Sequence, residues 1–94
     1  MRHQNTYKKL KDEFLATHTL CAKCDKVIPL YGRTVHHKYG RLGKLKCWVP
    51  GWRMLCWKCH DWVHGHPAAA RELGLYAPHG MWRDYKKAVL NEAH

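Results

Sequence analysis

Residues 54–67 read MLCWKCHDWVHGHP. The stretch carries a Cys-x-x-Cys pair, Cys56 and Cys59, and directly behind it two histidines, His60 and His64. Positions four apart lie on one face of a helix, so both imidazoles can approach the same point. Gly65 and Pro67 end that helix, which the pattern places over 57–64. A second pair, Cys21 and Cys24, lies upstream. Two such pairs supply four thiolates at a spacing that closes a tetrahedral Zn²⁺ site. The tight x-x spacing aims both sulfurs of a pair at one ion, and Lys23 and Lys58 offset part of the negative charge. The second pair also opens a helix, where backbone N–H groups favour thiolates. A redox pair or buried free thiols are the alternatives. A closed four-cysteine site has no open position for substrate, so its expected role is structural. Cys47 is left over and is expected to be a small strand residue.

Working outward, the chain of 94 residues fits one small domain, 1–94, since no Pro/Gly/Ser linker or repeat divides it. So short a chain builds only a marginal core, and a structural metal can supply much of the missing folding free energy. Lys and Arg number 17 against 7 Asp and Glu, a formal charge of +10, which points to a polyanionic partner. Five Cys, four of them in two pairs, favour metal binding in a reducing cytoplasm over a secreted disulfide framework. No apolar run is long enough to span a bilayer, and residues 1–5 lead into a polar, basic stretch rather than a signal peptide. The cations are densest over 38–46, where Lys38, Arg41, Lys44 and Lys46 occur without an acid.

Periodicity predicts a helix over 6–16, with Tyr7, Leu10 and Phe14 on one face. A short apolar strand is expected over 27–31 and a β-branched strand over 34–37. Gly40 and Gly43 mark a turn. A bent or two-part strand over 47–55 is broken at Pro50-Gly51. After the 57–64 helix, Pro67 opens another helix that Gly74 ends, and a last helix is expected over 81–91 with Trp82, Tyr85 and Val89 on one face. Trp57 and Trp62 are expected to pack the two metal regions together. The whole is a small, zinc-stabilised α+β domain.

His36 and His37 fall in the predicted strand. Neighbours in a strand point to opposite sides, so the two cannot easily bind one ion. One can join His60 and His64 at a metal while the other stays free as a base.

These features resemble the zinc-containing HNH endonucleases, which have the ββα-metal (His-Me finger) fold. The resemblance rests on His36-His37-Lys38-x-Gly40-Arg41, on Trp52 four residues before Cys56, and on Cys56-x-x-Cys59-His60-Asp61-Trp62-Val63-His64-x-His66-Pro67 followed by Leu73-Gly74-Leu75. It covers about 20–76, leaving the end helices as flanks, and is similar to small HNH proteins of phage and prophage genomes. It implies His37 as the general base that activates water, and His36, His60 and His64 as ligands of a catalytic divalent ion. The middle Asn of the HNH pattern is replaced by Gly51, and Trp52 is expected to anchor the loop by packing instead.

The resemblance implies metal-dependent hydrolysis of DNA phosphodiester bonds, by nicking or double-strand cleavage. Arg41 and Lys38, with Lys44 and Lys46, would grip neighbouring phosphates. An all-imidazole site suits Mn²⁺, Ni²⁺, Co²⁺ or Zn²⁺, with Mg²⁺ the less natural fit. The implied setting is the cytoplasm of a bacterial host, off the membrane, as a monomer or weak dimer acting on DNA, with the phage packaging terminase as a possible partner. The competing reading is a catalytically inactive zinc module that binds nucleic acid or a phage or host protein.

Overall fold

Two five-residue strands divide the molecule by the alternation of their side chains. In the computed structural model, which describes residues 2–93, β1 (Arg33–His37) pairs antiparallel with β2 (Trp52–Cys56). The register sets His37 opposite Trp52, Val35 opposite Met54 and Thr34 opposite Leu55. Successive strand residues face opposite sides. Val35, Trp52 and Met54 therefore meet the helix α1 (Arg2–Thr17), packing with Phe14, Tyr7 and Leu10. On the other side Leu55 meets the helix α2 (Trp57–Gly65) and joins Val63, Cys21, Cys59, Ala70 and Leu75 in a second cluster. The helix α3 (Pro67–Glu72) follows at once, with Pro67 in its first turn, and α4 (Tyr85–Glu92) closes the chain. The result is a small α+β fold with a two-stranded sheet between helices.

Three elements differ from expectation, each for a local reason. Residues 27–31 form no strand: Val27 makes an isolated bridge to Leu20, and the chain then turns through a 3₁₀ segment at Leu30–Gly32. Pro29 lacks the N–H that a ladder requires. Residues 47–51 coil into 3₁₀ turns, Gly43–Cys47 and Val49–Gly51, so Cys47 ends a turn instead of lying in a strand. The last helix begins at Tyr85, because Asp84 caps it by accepting from the Lys87 N–H at 3.1 Å and Arg83 has φ +64°, which a helix does not allow. Trp82 thus lies outside it. Trp57 is exposed, whereas Trp62 stacks on His66 at 4.6 Å beneath the Lys23 ammonium.

A third cluster, Tyr39, Leu45, Ala77 and Ala88, fastens α4 behind β1. Its polar centre is Glu92. The Tyr39 hydroxyl donates to Glu92 at 2.6 Å, Lys38 at 3.2 Å and Arg53 at 3.1 Å. Burial opposes the charge on Glu92, yet these donors hold its carboxyl below the usual range. Burial and Glu92 together push Tyr39 up to about 12. Among the described residues no helix is long and apolar enough to cross a membrane.

Candidate functional site

The two cysteine pairs meet because backbone hydrogen bonds fold the first one against β2. After Cys24 the chain reverses at Asp25, whose φ is +60°, and the Cys21 N–H donates to the Lys26 carbonyl at 3.0 Å. The Ala22 N–H then donates to the Met54 carbonyl at 2.8 Å, two residues before Cys56. Cys56 is the N-cap of α2, and its N–H points to the Cys21 sulfur at 3.5 Å. The four sulfurs of Cys21, Cys24, Cys56 and Cys59 all lie within 4.8 Å of one another, and none is in a disulfide. Burial works against ionising Cys21, but N–H groups of Cys24, Cys56 and Lys23 outweigh it and bring the thiol down to about 7. Burial and the neighbouring thiols push Cys59 up. Four convergent sulfurs are a donor set that can hold a structural metal such as zinc.

His36, His60 and His64 form a second convergent set. Each offers one ring nitrogen, and the three atoms lie within 4.8 Å of one another. His36 comes from the α2-facing side of β1 and is buried; His60 and His64 share a face of α2, their ring centroids 4.8 Å apart. The Nε2 of His36 meets the Leu75 carbonyl. A carbonyl only accepts, so this nitrogen carries the proton and Nδ1 keeps its lone pair. Such a partner fixes both the tautomer and the orientation of a metal-binding imidazole. Burial, aided by the charges of His60 and His64, lowers His36 to about 4, and burial also lowers His60. The three imidazoles offer convergent nitrogen donors that could hold a divalent metal.

His37 stands apart from this set, on the α1-facing side of the strand, 5.4 Å from the Trp52 ring. Its Nε2 lies 3.1 Å from the Lys46 carbonyl and must donate to it, which leaves Nδ1 as the free lone pair. The Trp52 indole N–H donates to that same carbonyl at 3.1 Å, so Trp52 anchors the loop by a hydrogen bond as well as by packing. Burial, with Arg41 and Lys46 nearby, lowers His37 to about 4. Despite facing opposite ways, His36 and His37 both border one cleft of about 720 Å³, together with His60 and His64.

The four expected phosphate contacts are placed unequally. Arg41 is exposed and lines the cleft, its guanidinium 5.7 Å from the Tyr7 ring. Lys46 reaches toward the same ring at 4.9 Å, and Lys44 is exposed but lies over Tyr85 at 5.4 Å, outside the cleft lining. Lys38 turns inward to Glu92 and is buried. A lysine following a buried strand residue is carried with its strand, and here its ammonium lies 5.3 Å from the centre of the Tyr39 ring. Sequence reasoning missed Tyr7, Lys11, Tyr76, Trp82 and Arg83, which line the cleft from α1 and from the segment before α4. It also missed the carbonyls of Leu75 and Lys46. Every residue has a carbonyl, so no residue type announces such a role.

In comparisons with known proteins, no family model, curated protein or solved structure matches the chain.

Proposed function

We propose that this chain is a metal-dependent endonuclease of the HNH type, with β1, β2 and α2 as its ββα-metal core, hydrolysing DNA phosphodiester bonds. One observation carries the reading. Two adjacent histidines project to opposite sides of one strand; His36 joins a three-imidazole cluster, while His37 stands outside it with a carbonyl of its own. A pure binding module has no use for that second, separately oriented imidazole.

In this reading His36, His60 and His64 would hold a divalent ion, which would supply positive charge to offset the negative charge of the phosphate and the leaving oxygen. The lone pair on Nδ1 of His37 takes a proton from the attacking water. The Lys46 carbonyl holds the ring in the tautomer that can do so, and its bond strengthens as the ring gains charge. Burial and the Arg41 charge weaken His37 as a base in the free protein. A phosphodiester in the cleft brings negative charge close by, which raises that basicity again. Arg41 holds a neighbouring phosphate.

The experiment is plasmid nicking with added divalent ions, wild type against His37→Ala. Wild type is expected to nick, and His37→Ala to bind DNA and zinc but not cleave. Gly51, where the HNH pattern has Asn, favours the alternative of a zinc module that binds without cutting. Salt-sensitive DNA binding by a wild-type protein that cleaves in none of the ions would establish that alternative.

A further inference from the structure

The strand-and-helix core accounts for only part of the cleft. Its far wall is built by Tyr76, Trp82 and Arg83, from a segment with no regular structure. Trp82 stands edge-on to Tyr76 at 5.4 Å, and its ring borders Gly40, where a Cβ would come within 3.4 Å of it. The rest of the indole is open: Trp82 is 45% exposed. Arg83 is exposed beside it, with its guanidinium 6.0 Å from the Trp82 ring and no carboxylate partner among the described residues. Its backbone is pinned, because the Arg83 N–H donates to the Tyr39 carbonyl at 3.0 Å, at a φ of +64°. That conformation suits Gly or Asn, and an arginine there is held at a cost. The strained residue is the one that brings an exposed cation to the lining of the histidine cleft. Arg41, Lys11 and the Tyr7 ring line the same cleft, and among the described residues no acid lines it.

We propose that Trp82 and Arg83 form a nucleotide-gripping wall: Arg83 takes a phosphate next to the scissile one, Trp82 takes the face of an unstacked base, and the cleft therefore prefers an unpaired DNA strand to an intact duplex. The inference rests on the nuclease reading for the identity of the polyanion. The physical reason is that base faces inside a duplex are covered by their neighbours. An aromatic wall beside cations adds affinity only where bases are free to leave the stack.

The test measures binding without cleavage. The zinc-loaded chain, with no other divalent ion, is titrated with a fluorescent single strand and with the same sequence as a duplex, at several salt concentrations. The single strand is expected to bind more tightly. Trp82→Ala should weaken single-strand binding roughly 5- to 150-fold while changing duplex binding little. Arg83→Gly should reduce the salt slope by about one, with a melting temperature equal to or above wild type because the strain is relieved. An arginine serving only the fold would behave in the opposite sense, losing melting temperature and keeping affinity. That result, or equal losses on single strand and duplex for Trp82→Ala, overturns the proposal. If the variants behave as expected but wild type cleaves DNA in no ion, the wall stands and the nuclease reading fails. If wild type cleaves and both variants bind like wild type, the nuclease reading stands and the wall fails.

Discussion

Gly51 lies flat against the indole of Trp48: a Cβ on Gly51 would stand 2.8 Å from one ring carbon and 3.0 Å from the next. The Tyr39 ring crowds the same point at 3.3 Å. If the proposed HNH reading holds, an Asn that ties down the loop between the strands would be expected at this position. Here the loop is tied by Trp52 and His37, which donate to the one carbonyl of Lys46. Glycine lets Trp48 pack close at this point, and the indole of the next residue fastens the loop.

Placing an asparagine here should therefore harm the fold. Gly51→Asn is expected to cost about 1–3 kcal/mol through overpacking against Trp48. Denaturant unfolding of the zinc-loaded protein measures it. An unchanged midpoint would mean that Trp48 swings aside freely and that the contact is unimportant.

Trp52→Phe keeps most of the ring but removes the N–H that holds the Lys46 carbonyl. A lost hydrogen bond of this kind costs about 1 kcal/mol. If His37 is the base, the loosened carbonyl also lets its imidazole wander, and nicking should fall on the order of tenfold or more. Metal content should stay the same. A variant that loses stability but nicks at the wild-type rate would show that the shared carbonyl has no part in catalysis.

The cysteine cluster and the histidine cluster should respond differently to metal loss. A strong chelator that strips the four thiolates should unfold the domain, and Cys56→Ala should do the same, seen as lost helical circular dichroism and released zinc. His60→Ala should stay folded with zinc bound and, if the nuclease reading holds, lose only cleavage. A chelator-treated or Cys56→Ala chain with an intact spectrum would remove the structural role from the cluster.

The ligand chemistry of the imidazole set makes a separate prediction. His36, His60 and His64 bring no carboxylate, so if they hold the metal of a nuclease, cleavage in Mn²⁺ or Ni²⁺ should at least equal that in Mg²⁺. Activity confined to Mg²⁺, indifferent to the softer ions, would rule this ligand set out.

Glu92 supplies a pH dependence of known sign. Its carboxyl is held below the ordinary value of 4.5, so folding favours the ionised form. The stabilisation is fully present above that value and is lost as pH falls through the lower, folded one. Glu92→Gln should cost on the order of 1–3 kcal/mol at neutral pH, since it leaves Lys38 and Arg53 without their counter-charge. The gap between wild type and variant should then close on acidification. A gap that stays constant below pH 4 would place the stabilisation elsewhere.

Legibility in the sequence followed the range of the interaction. The helix of Trp57–Gly65, the strand of Arg33–His37 and the convergence of four cysteines were readable because each is written in spacings of a few residues. The split of His36 from His37 follows from strand alternation alone. The false strand at 27–31 and the early start expected for the last helix came from apolar runs whose outcome hung on single residues, Pro29 and Arg83.

By itself, then, the sequence determined the donor atoms, the strand that separates the two histidines and the helix that pairs the other two, since all of these depend on local geometry. Only the tertiary structure decided which lysine was available, which carbonyls set the imidazole tautomers and what closes the cleft. Lys38 is turned inward by a glutamate 54 residues away, His36 is held by a carbonyl 39 residues away, and the far wall arrives with a segment that follows α3. Those partners are chosen by chain folding over long separations, and neither a side chain's type nor its spacing records them.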